Sequence, residues 1–103
     1  MAFLKTGDGG NGGSTPSFDH YEYDITALAV TNPWGTLYNA TYRASFGKTY
    51  NQIDAVNAYF TTSDDKVAIA VPNTPQLTHV DVFLNRATTS NINGKLCVDV
   101  YGN

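Results

Sequence analysis

Large apolar and polar residues alternate through most of this chain. Between Phe18 and Thr31 the period is two: Tyr21, Tyr23 and Ile25 fall on one face, and His20, Glu22 and Asp24 on the other. After Thr26 the larger apolar residues, Leu28 and Val30, move to the even positions. That phase change predicts one long strand, or two joined at a bulge near Thr26. Asn32-Pro33-Trp34-Gly35 then reads as a turn, with proline presetting φ and glycine free to take positive φ. From residue 36 to 46 the alternation resumes. Tyr38, Ala40, Tyr42, Ala44 and Phe46 face one way and Asn39, Thr41, Arg43 and Ser45 the other, and Gly47-Lys48 closes this strand.

Residues 51–62 fit two periods. Ile53, Val56 and Phe60 match a helix, whereas Val56, Ala58 and Phe60 match a strand, and a strand over 55–61 is the favoured reading. Residues 61–66 read as a hairpin connection to an apolar strand at Val67–Val71, which Pro72-Asn73-Thr74-Pro75 ends. The last two segments resemble each other. His79-Val80-Asp81-Val82-Phe83-Leu84-Asn85 and Cys97-Val98-Asp99-Val100-Tyr101-Gly102-Asn103 share Val-Asp-Val, an aromatic and Asn. Val80, Val82, Leu84, Leu96, Val98 and Val100 are the expected core positions. The polar segment between them ends in a turn signal at Gly94.

About seven short strands separated by turn signals predict an all-β fold, a small antiparallel β-sandwich or jelly-roll-like domain over residues 18–103. Residues 1–17 are expected to be an extended glycine-rich N-terminal arm, flexible when free. Its apolar pair Phe3 and Leu4 and its glycines Gly9, Gly10, Gly12 and Gly13 are candidate partner contacts. Ordering so many glycines is costly in entropy, so an ordered arm implies something that holds it.

Composition agrees with the pattern. Thr, Asn, Tyr and Val are frequent and Glu occurs once, a balance that favours strands and turns over helices. At 103 residues the chain fits one domain, small enough to gain from oligomerisation. Net charge is −3 and the six Lys and Arg form no cluster, which disfavours a nucleic-acid partner. No apolar run is long enough to span a membrane, and the first residues lack the pattern of a signal peptide. Synthesis in a cytoplasm is the expectation. The single cysteine, Cys97, excludes an intrachain disulfide and reads as a buried, inert thiol. Asn39-Ala40-Thr41 fits a glycosylation sequon that reads as chance without a secretory signal.

Candidate chemistry is sparse. No nucleophile elbow surrounds a serine, no local signature surrounds Cys97, and the arm glycines do not form a phosphate loop. No catalytic residue, cofactor or metal is assigned, and the chain reads as a non-enzyme. Two weaker constellations are His20, Glu22 and Asp24 on one strand face, with metal-ligand donor types, and Asp81 with Asp99, a carboxylate pair if their strands adjoin. In both, solvated strand positions are the favoured reading. Aromatics are the richer signal. Tyr21, Tyr23, Tyr38, Tyr42, Tyr50, Tyr59, Tyr101 and Trp34 have the character of partner-binding surfaces. Trp34, the only tryptophan, reads as a lid folded on the core or as an exposed anchor for a subunit or a sugar ring.

With its own Met, a glycine-rich arm, Asn/Thr/Tyr-rich strands and no chemistry, the chain resembles in layout the small head-decoration (cement) proteins of tailed bacteriophages, particularly the trimeric β-sandwich kind. It is also similar in style to the tip domains of phage tail fibres and tailspikes. The resemblance carries no diagnostic motif. It implies a structural virion protein on the capsid surface, a homotrimer seated between capsomers with arms touching the major capsid protein. The tip-domain likeness implies instead a module that binds a host surface glycan or receptor.

Overall fold

Six strands form: β1 (Ser17–Leu28), β2 (Tyr38–Ser45), β3 (Ile53–Thr62), β4 (Ile69–Pro72), β5 (His79–Arg86) and β6 (Ile92–Gly102). They come from a computed structural model that describes residues 17–31, 37–63 and 68–103. The strands make two three-stranded antiparallel sheets, of order β1-β6-β3 and β2-β5-β4. The two sheets pack face to face as a small β-sandwich. The expected all-β class is therefore the observed one, with six strands rather than seven among the described residues.

The two similar C-terminal segments occupy equivalent places. β6 is the middle strand of one sheet and β5 the middle strand of the other. A middle strand has neighbours on both sides and a sheet over its inner face. Val80, Val82, Leu84, Leu96, Val98 and Val100 are accordingly all 0% exposed. Their alternation with Asp81 and Asp99 sends the carboxylates to the opposite, outer faces. Around them pack Ile25, Ala40, Ala44, Phe46, Tyr50 and Ile92, with Val56, Ala58 and Phe60 at the margin. Within residues 51–62 the strand is Ile53–Thr62, somewhat longer than the 55–61 expected.

The phase change in the first segment is a register shift between Ile25 and Leu28. Ala27 sits there at φ 52°, and its N–H is bound by Asn93 Oδ1 at 2.8 Å. Beyond the shift the chain leaves β6, and Thr31 bridges to Asn39 on β2, joining the sheets along one side. Along the other side β3 lies against β4. In sequence the order β6, β3, β4, β5 around this sandwich is that of a Greek key.

Three local expectations are corrected. β3 and β4 belong to different sheets, so their connection passes between sheets instead of closing a hairpin. Gly94 is no turn but a position within β6, opposite Ile25 and Thr62. A Cβ there would stand 2.2 Å from the Thr61 carbonyl oxygen, so only glycine fits between the flanking strands. Asp81 and Asp99 do not adjoin, because β5 and β6 are in opposed sheets.

Candidate functional site

The residues expected to contact partners, Phe3, Leu4, Gly9, Gly10, Gly12, Gly13 and Trp34, lie outside the described residues. The tyrosines divide. Tyr21, Tyr23, Tyr42 and Tyr50 join Phe46 in an aromatic seam where β1 of one sheet meets β2 of the other, with successive ring centroids 5.4–6.5 Å apart. The hydroxyls of Tyr21, Tyr23 and Tyr50 are used internally. Tyr50 donates to Asp19 Oδ2 at 2.6 Å and shares a 2.7 Å bond with the Tyr21 hydroxyl, and Tyr23 donates to the Ser45 carbonyl at 2.7 Å. Burial raises the pKa of Tyr50 strongly and pushes Tyr23 up to about 12, while the Tyr50 hydroxyl, ahead of Lys48, holds Asp19 below the usual carboxylate range. Lys48 also lies over the Tyr50 ring at 4.4 Å. These four tyrosines hold the sheets together and are not a free binding surface. Asn39, the sequon residue, is buried, and its amide nitrogen donates to Asn85 Oδ1 at 2.7 Å.

What remains for partners are the two outer sheet faces. On the β1-β6-β3 sheet, cross-strand register sets four rows: Phe18–Tyr101–Ala55, His20–Asp99–Asn57, Glu22–Cys97–Tyr59 and Asp24–Lys95–Thr61. Phe18, 54% exposed, leans on Tyr101 with centroids 5.0 Å apart, and Tyr59 is 44% exposed. In the next rows His20 is held from both ends. Its Nδ1 lies 2.6 Å from Asp99 Oδ1 and its Nε2 lies 3.0 Å from Glu22 Oε2. Lys95 Nζ donates to the other Glu22 oxygen at 3.1 Å. The Asp99 carboxylate, then Glu22, raises the His20 pKa, and His20, then Lys95, lowers that of Glu22. Cys97 lies beneath the group, its thiol pushed up mainly by burial.

His20, Glu22 and Cys97 bring one nitrogen, one oxygen and one sulfur within 4.8 Å of one another. This is the donor set among the described residues that could hold a metal ion. It differs from the expected His20, Glu22 and Asp24 in one member. Asp24 stands opposite Lys95, one row further along, whereas Cys97 stands directly across from Glu22. Alternate residues on one strand are nearly 7 Å apart, while facing residues on adjacent strands are about 5 Å apart. The cross-strand partner therefore wins. No sequence signal pairs Cys97 with Glu22, since 74 positions separate them in the chain and only the register joins them.

The outer face of the β2-β5-β4 sheet is different. Arg43 grips Asp81 with two hydrogen bonds, Nε to Oδ1 at 2.9 Å and Nη2 to Oδ2 at 3.1 Å, and lowers its pKa. Beyond this pair the face turns apolar. Phe83 lies between Thr41 and Val71, and Ile69 stands in the next row opposite Asn85. Ile69 is 61% and Val71 45% exposed. β4 is an edge strand of only four residues, so this apolar stripe runs out to the margin of its sheet, where β3 of the other sheet lies against β4. His79 stands one row beyond the Arg43–Asp81 pair, at a shallow depression with Arg43, Lys48 and Thr78.

These features define a small antiparallel β-sandwich with one polar and one apolar outer face. Among the described residues no helix is long and apolar enough to cross a membrane. No protein-family model, curated protein or solved structure matches the chain.

Proposed function

We propose that this protein is a structural virion component without enzymatic activity, a capsid decoration (cement) protein that sits between the capsomers of a phage head as a homotrimer. The observation that carries the reading is the apolar stripe of Ile69, Val71 and Phe83 on the outer face of the β2-β5-β4 sheet. Contiguous exposed apolar surface on a domain this small favours burial against a partner. The Arg43–Asp81 pair at its border supplies the polar rim usual at such contacts. Repetition of a modest contact over an oligomer and a shell yields retention by avidity, without a single tight site. In this reading the stripe meets a second copy of the chain, and the N-terminal arm with Phe3 and Leu4 reaches the major capsid protein.

The test pairs light scattering in solution with co-sedimentation on assembled heads. The double variant Ile69→Lys, Val71→Lys should keep the β-sheet circular dichroism of the parent but become monomeric and lose retention on heads. Deletion of residues 2–13 should keep the oligomer and lose retention alone. A parent that is monomeric at every concentration, or variants that decorate heads as the parent does, would refute the proposal.

A second reading is a glycan-binding tip module of a tail fibre or tailspike. The exposed Phe18–Tyr101 ring pair beside the polar rows of His20, Asp99 and Glu22 favours it, because sugars are held by a ring face together with hydrogen-bonding groups. It predicts saccharide binding by the isolated protein that Phe18→Ala or Trp34→Ala reduces.

A further inference from the structure

We infer that His20, Glu22 and Cys97 form a binding site for a zinc-class divalent metal ion on the outer face of the β1-β6-β3 sheet. The argument begins with donor types. Imidazole nitrogen, carboxylate oxygen and thiolate sulfur are the three protein ligands that zinc accepts, at about 2.0–2.3 Å, and an open zinc site uses three of them. Tetrahedral bonds of that length separate the donors by about 3.3–3.7 Å. His20 Nε2 and Glu22 Oε2 are already 3.0 Å apart, and all three donors lie within 4.8 Å. Small rotations of exposed side chains close the remaining gap. The ion would enter between imidazole and carboxylate, replacing their direct hydrogen bond.

The surroundings fit the ion independently of the ligands. Asp99 Oδ1 holds His20 Nδ1 at 2.6 Å. That contact places the ring proton on Nδ1 and turns the Nε2 lone pair toward the site, the carboxylate–histidine arrangement that supports metal-bound imidazoles. Lys95 holds only the Oε1 oxygen of Glu22, leaving Oε2 for the ion. Charge also balances. Glu22, Asp99 and a Cys97 thiolate carry three negative charges, and Lys95 with a divalent ion carries three positive ones. On binding, the Cys97 thiol and the His20 Nε2–H each give up a proton to solvent, and the electron pairs left on sulfur and nitrogen form the bonds to the metal. The fourth coordination position faces outward to water. Since His20 and Glu22 belong to edge strand β1 and Cys97 to middle strand β6, the ion would pin that edge to the centre of its sheet.

The probes are Zn²⁺ by titration calorimetry and Co²⁺ by absorption, on the metal-stripped full chain under reducing conditions. Expected are equimolar, saturable binding, a thiolate-to-cobalt charge-transfer band, and a raised unfolding temperature with Zn²⁺. Asp99→Asn should weaken Zn²⁺ binding by about 10–100-fold, and His20→Asn or Glu22→Gln should weaken it by more than that. Cys97→Ser should abolish the charge-transfer band. Because Cys97 is buried, its variant requires an unchanged circular dichroism spectrum; should it misfold, the exposed His20 and Glu22 variants decide alone. Absence of saturable binding, a cobalt spectrum without a thiolate band, or affinity unaltered in His20→Asn and Glu22→Gln would overturn the site.

Discussion

Replacing Gly94 by alanine should be among the most damaging small substitutions in the molecule. Gly94 lies in β6 with β1 on one side and β3 on the other, and its φ is 154°. An added Cβ would stand 2.2 Å from the Thr61 carbonyl oxygen, 2.8 Å from Phe60 Cζ and 2.9 Å from Thr62 Cα. Two of the three atoms are backbone, so relief requires β3 to move away from β6. Overpacking of this kind costs about 1–3 kcal/mol, and a side chain at a glycine-type backbone conformation costs about 1–3 kcal/mol more. A combined loss of about 2–6 kcal/mol compares with about 5–15 kcal/mol for the stability of a whole domain. Gly47 is the control: its φ is 73° but nothing lies within 4 Å of the added atom, so Gly47→Ala should lose only the left-handed penalty of about 1–2 kcal/mol. The assay is equilibrium unfolding in urea followed by circular dichroism. With a slope of about 1–1.5 kcal/mol per molar urea, Gly94→Ala should lower the midpoint by about 1.3–6 M or leave the chain unfolded at the outset. If Gly94→Ala loses no more stability than Gly47→Ala, the packing of β3 against β6 at this row is not as tight as described.

Three further outcomes follow from the same geometry. Ala27→Gly should stabilise the protein by about 0.5–1 kcal/mol in the same urea assay, because Ala27 bears a left-handed φ of 52° at the bulge and glycine removes most of that strain. Leu84→Ala, at a fully buried position, should cost about 2–5 kcal/mol, whereas Val71→Ala on the exposed stripe should change monomer stability by under about 0.5 kcal/mol; equal effects would contradict the assigned faces. The pKa of Asp19 is lowered from 3.8 by the Tyr50 hydroxyl and by Lys48 against an opposing burial effect. Its contribution is thus present in full above the unfolded carboxylate range and fades as pH falls through the lower folded value. Stability measured between about pH 5 and pH 2 should therefore fall less steeply in Asp19→Asn than in the parent, which a matching slope would disprove.

Much of the strand content could be read from the sequence, because burial on one face forces a period of two. Tyr38 to Phe46, Val80 to Leu84 and Leu96 to Val100 declare their inner faces without any knowledge of partners. The phase change after Thr26 likewise announces its bulge. Pairing could not be read in the same way. β1 joins β6 across the length of the chain, Ser17 opposite Gly102, and nothing local encodes that register. The turn-rich residues after Thr62 resemble a hairpin because Ser and Asp serve a crossing between sheets as well as a tight turn. Tyrosine is ambiguous for a related reason: its ring suits a core and its hydroxyl suits a surface. Only the position of Asp19 and of the Ser45 carbonyl shows that Tyr50 and Tyr23 find their polar partners inside the sandwich. The polar cluster was visible in part, as His20 and Glu22 on one strand face, and its third member appears only when Cys97 is set beside Glu22.

The placement of the two middle strands has a consequence for biosynthesis. β5 and β6 are the last of the six to leave the ribosome, yet every ladder among the described residues includes one of them. Until β5 emerges, β2 and β4 have no neighbour to pair with, and until β6 emerges, β1 and β3 have none. Early strands must therefore wait in an unpaired state, and the sandwich closes only after nearly the whole sequence is available. Such non-local closure belongs to the slow end of single-domain folding, in milliseconds to seconds. It exposes apolar strands to neighbouring nascent chains in the interval. A nascent chain stalled before His79 would carry four unpaired strands, and one stalled between Arg86 and Ile92 would still leave β1 and β3 without a neighbour, so both would be substrates for chaperones.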